Sequence, residues 1–266
     1  MRMKQIFRFL SMLIGILCLA GCEKDIFKVV PESKSYVIQS DFMQKEYTFY
    51  VRYPPDFDST MFYRTIILLD ANDYYVEMAN VLKADHSDGF ILVGVKYNEF
   101  KERITDFTFP HDDEIPGSGK ADQYIQFLRQ ELLPYLTDEL GIKSYDKTLL
   151  GHSLSGYFAA YVQFQQKLEN PFDNIIAASP SLWWNDSYIF GLEEKFAESH
   201  STLGVKYFTT IGDLEGAMMN THFNAFVKKV TSRNYPNSEF KATRYKNTSH
   251  RNSPIVSFKD GLKFIQ

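Results

Sequence analysis

The chain has 266 residues, 44% hydrophobic and 23% charged, the balance of a folded globular protein and not of a disordered or fibrous one. Its 14 glycines and 10 prolines are too few for a collagen-like or low-complexity chain, no repeat of solenoid period is visible, and a net charge of −4 offers no basic surface for nucleic acid. Both cysteines, Cys18 and Cys22, lie near the start, so the rest of the chain can hold no disulfide, thiolate zinc site or cysteine nucleophile.

The first segment, MRMKQIFRFLSMLIGILCLAGC, has a basic start (Arg2, Lys4, Arg8), an apolar run over residues 9–19 and small residues before Cys22, the build of a secretory signal peptide. The run is shorter than the about 20 apolar residues of a spanning helix. Leu19-Ala20-Gly21-Cys22 resembles the lipobox of bacterial lipoproteins. That resemblance implies a signal peptide over residues 1–21, a diacylglyceryl group on Cys22 and an exported protein anchored to a membrane, with Glu23 pointing to the outer membrane or cell surface. Residues 22–35 are expected to be the lipidated cysteine and a polar tether, and residues 36–266 a single domain.

Within that domain, strand-length apolar runs alternate with stretches of helical period, the pattern of a parallel sheet covered by helices. Strands are expected at residues 36–39, 47–53, 65–69, 91–95, 148–150, 175–178, 207–211 and 240–245. Helices are expected at residues 74–83, 121–140, 155–167, 188–198, 221–233 and 255–264. Runs such as Ile66-Ile67-Leu68-Leu69 do not alternate, as for strands buried on both faces. The first two strands have no helix between them, which suggests an antiparallel entry. Tyr124, Leu128, Leu132 and Leu136 make an apolar stripe, and Pro134 is expected to kink that helix. The fold class is α/β, a mostly parallel sheet of about eight strands with helices on both faces.

The chemistry concentrates after the strand at 148–150. There the chain reads Gly151-His152-Ser153-Leu154-Ser155-Gly156 and enters a helix. A serine hydroxyl is a poor nucleophile unless a base takes its proton, and a sharp strand-to-helix turn exposes it to both base and carbonyl. The helix N-terminus behind Ser153 supplies N–H groups and positive potential to a developing oxyanion. In the usual Gly-x-Ser-x-Gly pattern the last position is glycine; here it is Ser155.

These residues, with Leu68-Leu69-Asp70-Ala71, residues 103–110 (RITDFTFP), Ser179-Pro180-Ser181-Leu182-Trp183-Trp184 and Gly212-Asp213-Leu214-Glu215, resemble the α/β-hydrolase esterases that include siderophore esterases, feruloyl esterases and esterase D. The family usually has glycine where Ala71 stands. In this fold the chain order is nucleophile, acid, base. The resemblance therefore implies a base after the last strand, and His250 lies there in a polar loop, whereas His200 ends a helix and His222 lies within one. The acid is Glu215 or Asp213, with the family spacing falling on Glu215. The oxyanion hole would take the backbone of Leu154 and of Ala71 or Asn72. His152, Trp183 and Trp184 are candidates for the substrate pocket, the two tryptophans equally for core. Arg103 and Asp106, in a loop after the fourth strand, read as a structural salt bridge, and the run His111-Asp112-Asp113-Glu114 as a solvated loop, with no metal site.

The implied function is a serine esterase acting on carboxylic esters through an acyl-enzyme, on a small-molecule or polysaccharide-borne ester, with no cofactor, no metal and no nucleic-acid partner. An acyltransferase with the same acyl-enzyme, or a ligand-binding lipoprotein that has lost catalysis, are the alternatives.

Overall fold

The non-alternating apolar runs form the middle of one sheet. A computed structural model describes residue 30, residues 32–84 and residues 89–266. The signal segment 1–21 and Cys22 lie outside the described residues. Among the described residues the strands are β1 (Ser33–Ser40), β2 (Lys45–Arg52), β3 (Phe62–Leu68), β4 (Phe90–Val95), β5 (Lys143–His152), β6 (Asn174–Ala178), β7 (Lys206–Gly212) and β8 (Glu239–Tyr245). Their spatial order is β1-β2-β4-β3-β5-β6-β7-β8. β2 runs antiparallel to β1 and to β4, and the remaining pairs are parallel. All eight expected strands are present, with the antiparallel entry.

The helices are α1 (Ala71–Ala84), α2 (Phe100–Phe107), α3 (Ala121–Phe127), α4 (Leu133–Asp138), α5 (Leu154–Phe164), α6 (Trp184–Ser199), α7 (Gly216–Ser232) and α8 (Ser253–Ile265). Successive strand residues point to opposite faces. Ile67, Leu149, Ile175 and Tyr207 therefore join a core under α2 to α7, while Ile66, Leu150, Ile176 and Phe208 join a second core under α1 and α8. Both faces are dry, which is why these strands read as unbroken apolar runs. None of the described helices is long and apolar enough to cross a membrane.

Four details differ from the sequence reading. β1 begins at Ser33, and Val30 is buried in the second core, so the end of the expected tether belongs to the fold. Ser33 Oγ bonds the buried Tyr75 hydroxyl at 2.8 Å. The long helix does not simply kink at Pro134: α3 passes through a π-helical turn, Leu128–Leu132, into α4, with Pro134 in the first turn of α4. Pro134 has no N–H to give to the preceding turn, and the wider turn absorbs the mismatch while the stripe of Tyr124, Leu128, Leu132 and Leu136 stays buried.

Arg103 and Asp106 lie on a helix, α2, and not in a loop. That helix buries charges along with Phe107, so its period is hidden in the hydrophobicity of the sequence. Both residues are structural, as expected: Arg103 clamps Asp70, and Asp106 accepts from Lys45 Nζ (2.9 Å) and the Tyr47 hydroxyl (2.8 Å). Finally, α6 starts at Trp184, ahead of the expected helix, through three left-handed residues, Asn185, Asp186 and Ser187.

Candidate active site

In an open α/β sheet the site lies outside the carboxyl ends of the strands. Here three neighbouring strands leave the sheet through left-handed, non-glycine residues: Asp70 after β3 (φ 56°), Ser153 after β5 (φ 60°) and Ser179 after β6 (φ 42°). Each such residue costs about 1–3 kcal/mol, so three at one rim mark the place where geometry is held against local preference.

Ser153 stands between β5 and α5, with φ 60° and ψ −112°. Its N–H donates to Ala178 O (3.0 Å) and its carbonyl accepts from Ser181 N–H (3.0 Å), so the turn is fixed to the end of β6 and to the loop that follows it. The hydroxyl lies 3.4 Å from Ser181 Oγ. The chain folds back so tightly that a Cβ at Gly151 would stand 2.2 Å from Ser155 O. Gly151→Ala is therefore expected to break the elbow, lowering Tm by several degrees and removing activity. A thermal melt and an ester assay of the purified variant check this, and a stable, active variant would refute the described path of the turn.

Leu154 is the first residue of α5, and Ala71 and Asn72 open α1. First-turn N–H groups have no acceptor inside their own helix, and the helix dipole adds positive potential. The Asn72 side chain is spent elsewhere, accepting from Tyr97 N–H (3.0 Å) and donating to Tyr97 O (2.9 Å). Its backbone N–H is what remains for an oxyanion.

His250 and Glu215 are brought together. His250 Nδ1–H donates to Glu215 Oε2 at 2.7 Å, while Oε1 accepts from Gly212 N–H (2.6 Å) and the Ser179 hydroxyl (2.6 Å). The Glu215 side chain is 0% exposed. With Nδ1 donating, Nε2 keeps its lone pair and can accept a proton. The two loops cross where Gly212 has no side chain: a Cβ there would meet Thr248 O at 2.1 Å. Asp213 takes a different part. Exposed, it accepts the Thr248 N–H at 3.2 Å and does not reach the imidazole.

No direct Ser153–His250 hydrogen bond is formed among the described residues. The His250 ring packs 4.4 Å from that of His152, the residue before Ser153. Catalytic hydrogen bonds are often long without substrate and tighten when it binds.

His152, expected on the pocket wall, is 4% exposed and sits behind His250. Its Nδ1 is 2.9 Å from the Tyr74 hydroxyl and its Nε2 3.4 Å from Ser253 Oγ. Ser253 Oγ in turn lies 2.8 Å from Ser179 Oγ. One consistent set of donors runs from Tyr74 through His152, Ser253 and Ser179 to the Glu215 carboxylate, so each bond polarises the next. Nothing in the sequence marks Tyr74, Ser179 and Ser253 as site residues. Ser179 lies in the Ser-Pro-Ser stretch that carries the resemblance, and Ser253 opens α8, but hydroxyls leave no pattern to search for.

Burial, then the neighbouring His250 and Arg103, push the His152 pKa well below the ordinary histidine value. The unfolded chain takes up that proton near about pH 6.5 and the folded chain does not. The stability His152 contributes is thus full above about pH 6.5 and lost as pH falls below it, at up to about 1.4 kcal/mol per pH unit. Asp106, pushed up to about 6 by burial against the opposing pull of Lys45, acts in the other sense: its contribution is lost as pH rises through about 6. Comparing the Tm of wild type and His152→Gln from pH 7.5 to 5 isolates the histidine. A steeper fall for wild type is expected, and parallel curves would reject the assignment.

Ser155 is 0% exposed and hydrogen-bonded: its hydroxyl donates to Asp70 Oδ2 (2.7 Å) and accepts the His152 N–H (2.8 Å). Serine at this place is built into the turn. Trp184 is 1% exposed and belongs to the core, so it is not a pocket residue; Trp183, half-buried against the same core, keeps one side open. His222 Nδ1–H donates to its own helix at Met218 O, and His200 stacks on Phe196. Among the described residues no group of three or more His, Cys, Asp or Glu side chains is placed to hold a metal ion.

The sequence pattern of the family described as "Putative esterase" matches residues 40–252. The chain is similar to ferri-bacillibactin esterase BesA of Bacillus subtilis, 26% identical over 188 residues that cover 63% of this chain and 64% of the relative. The match thus spans less than two thirds of that relative's length. Among solved structures, the BES protein from Bacillus cereus superposes with a TM-score of 0.77 at 26% identity, covering 88% of this chain and 96% of that one. Siderophore hydrolase EstA from Aspergillus nidulans superposes at 0.76 with 18% identity, covering 88% and 93%, and shares the fold. With the family pattern running from the end of β1 to the start of α8, across an α/β-hydrolase sheet and its Ser153 elbow, the chain belongs to this esterase family.

Proposed function

We propose that the protein is a serine esterase that hydrolyses carboxylic esters through an acyl-enzyme. The observation that carries the reading is the buried Glu215 carboxylate on His250 Nδ1 at 2.7 Å, on the loop beside a left-handed Ser153 at the mouth of α5. Ser153 Oγ attacks the ester carbonyl carbon while its proton passes to His250 Nε2. The tetrahedral oxygen accepts hydrogen bonds from Leu154 N–H and from Ala71 or Asn72 N–H. The intermediate collapses, the C–O bond to the alcohol breaks, and the alcohol leaves with the proton from His250. Water then attacks the acyl-enzyme, its proton moves to His250, and the acid departs as that proton returns to Ser153. Glu215 holds the imidazole tautomer and stabilises its charged form.

The substrate class is a siderophore ester, a reading supported by the names of BesA and EstA. The protein is exported and tethered by lipid on Cys22, a reading supported by the Leu-Ala-Gly-Cys sequence after an apolar run. The test is labelling with a fluorophosphonate, followed by peptide mapping. One equivalent on Ser153, with loss of hydrolysis of p-nitrophenyl acetate and of a catecholate siderophore, is expected; labelling elsewhere, or none, overturns the reading.

A further inference from the structure

We propose that Ser155 is a positioning residue that locks the two oxyanion-hole segments, the turn after β3 and the turn after β5, to one another. The inference rests on the serine-esterase reading above.

β3 and β5 are neighbours, and their backbone pairing continues to Leu69 N–H on Leu150 O at 3.0 Å. Past that point each chain turns away into a helix, and the Ser155 hydroxyl joins the two turns. On one side it accepts the N–H of His152, the residue before Ser153. On the other it donates to Asp70, the left-handed residue directly before Ala71. Asp70 is itself clamped by Arg103, Nε on Oδ1 and Nη2 on Oδ2, each at 2.7 Å. Asp70 has 0% of its side chain exposed, and Arg103 10%. A hydrogen bond to a carboxylate held in this way is short and directional. One oxygen atom therefore fixes the Ala71 segment relative to the Leu154 segment.

The glycine expected at this place would leave the His152 N–H without that acceptor and Asp70 without that donor. Oxyanion donors work by standing within about 2.7–3.1 Å of where the charged oxygen will be, and a misplacement of about 1 Å is worth about 100-fold in rate. The substrate carbonyl before attack is much less demanding, so the effect falls on the transition state.

The test uses the full chain with Ser155→Ala and Ser155→Gly, the second serving where the first does not fold. With p-nitrophenyl acetate, kcat is expected to fall about 10- to 100-fold with KM within about twofold. An alkyl boronic acid, which forms a tetrahedral adduct on Ser153, is expected to bind more weakly by the same factor. Circular dichroism and a thermal melt establish that the variants are folded. A folded variant with lowered Tm but unchanged kcat and boronate affinity makes Ser155 a packing residue and overturns the proposal. Wild type that takes no fluorophosphonate on Ser153 removes the esterase reading, and this proposal with it.

Discussion

Ser153→Ala is expected to lower kcat for any ester substrate by about 10,000-fold or more, the loss seen when the nucleophile of a serine triad is removed. The magnitude follows from what is left. Without Oγ there is no acyl-enzyme, and water held near His250 must attack directly, helped only by oxyanion donors and substrate binding. The fold should not suffer. The Ser153 side chain makes one long contact, 3.4 Å to Ser181 Oγ, and the strained backbone at φ 60° is held by bonds to Ala178 and Ser181 that alanine keeps. Active-site residues are commonly kept at a cost in stability, so the variant's Tm is expected within a few degrees of wild type or above it. Activity is measured in single turnovers beside a melt. A folded variant retaining more than about one hundredth of wild-type kcat would exclude Ser153 as the nucleophile.

Much of this arrangement was legible because it rests on signals that sequence carries well. The sheet announced itself through Ile66-Ile67-Leu68-Leu69 and its counterparts, since burial on both faces removes alternation. The elbow announced itself through glycine and small residues packed around one serine. His250 followed from chain order once the last strand was placed. What escaped has a common physical cause: side chains that satisfy one another are invisible to hydrophobicity. α2 buries Arg103 and Asp106, so its period looks polar. Ser179, Ser253 and Tyr74 act as hydroxyls behind the site, and a buried hydroxyl differs from an exposed one only in what it bonds. Ser155 read as a departure from a glycine position because the partner that explains it, Asp70, lies 85 residues earlier. Trp184 is the converse case: a large aromatic in a site loop fits a substrate wall and a core equally well by sequence, and at 1% exposure it packs the core.

The strain at Asp70, Ser153 and Ser179 fits the same account. Each residue directs a group that the proposal uses: Asp70 precedes the proposed oxyanion donor of Ala71, Ser153 is the proposed nucleophile, and Ser179 donates to Glu215. Three strand ends bent against their preference are sustained by the two cores beneath them, since β3 from Thr65, β5 from Thr148 and the whole of β6 are buried.

Glu215→Gln is expected to lower kcat by about 1,000- to 10,000-fold at neutral pH, with KM changed little, while Asp213→Asn leaves both within about threefold. The amide keeps the size of the carboxylate but reverses one of its faces. Glu215 accepts three hydrogen bonds, from His250 Nδ1–H, Gly212 N–H and the Ser179 hydroxyl. A glutamine has one oxygen and one NH2 to offer there. If the oxygen stays with Gly212 and Ser179, the NH2 faces His250 and favours the tautomer with its proton on Nε2, which cannot take the proton of Ser153. If it turns, two buried donors lose their acceptor, at about 1–3 kcal/mol each. Either orientation also removes the negative charge that steadies the imidazolium in the transition state. Asp213 makes no such contact; its carboxylate holds an exposed Thr248 N–H at 3.2 Å, a bond that asparagine can still accept. The pair of variants thus separates the two acids that sequence left open. The imidazole Nδ1–H proton of His250 is expected far downfield in the NMR spectrum of wild type, to move upfield in Glu215→Gln and to stay in Asp213→Asn. Equal losses in both variants, or a larger one at Asp213, would show that the carboxylate on His250 in the working enzyme is a different one from that described.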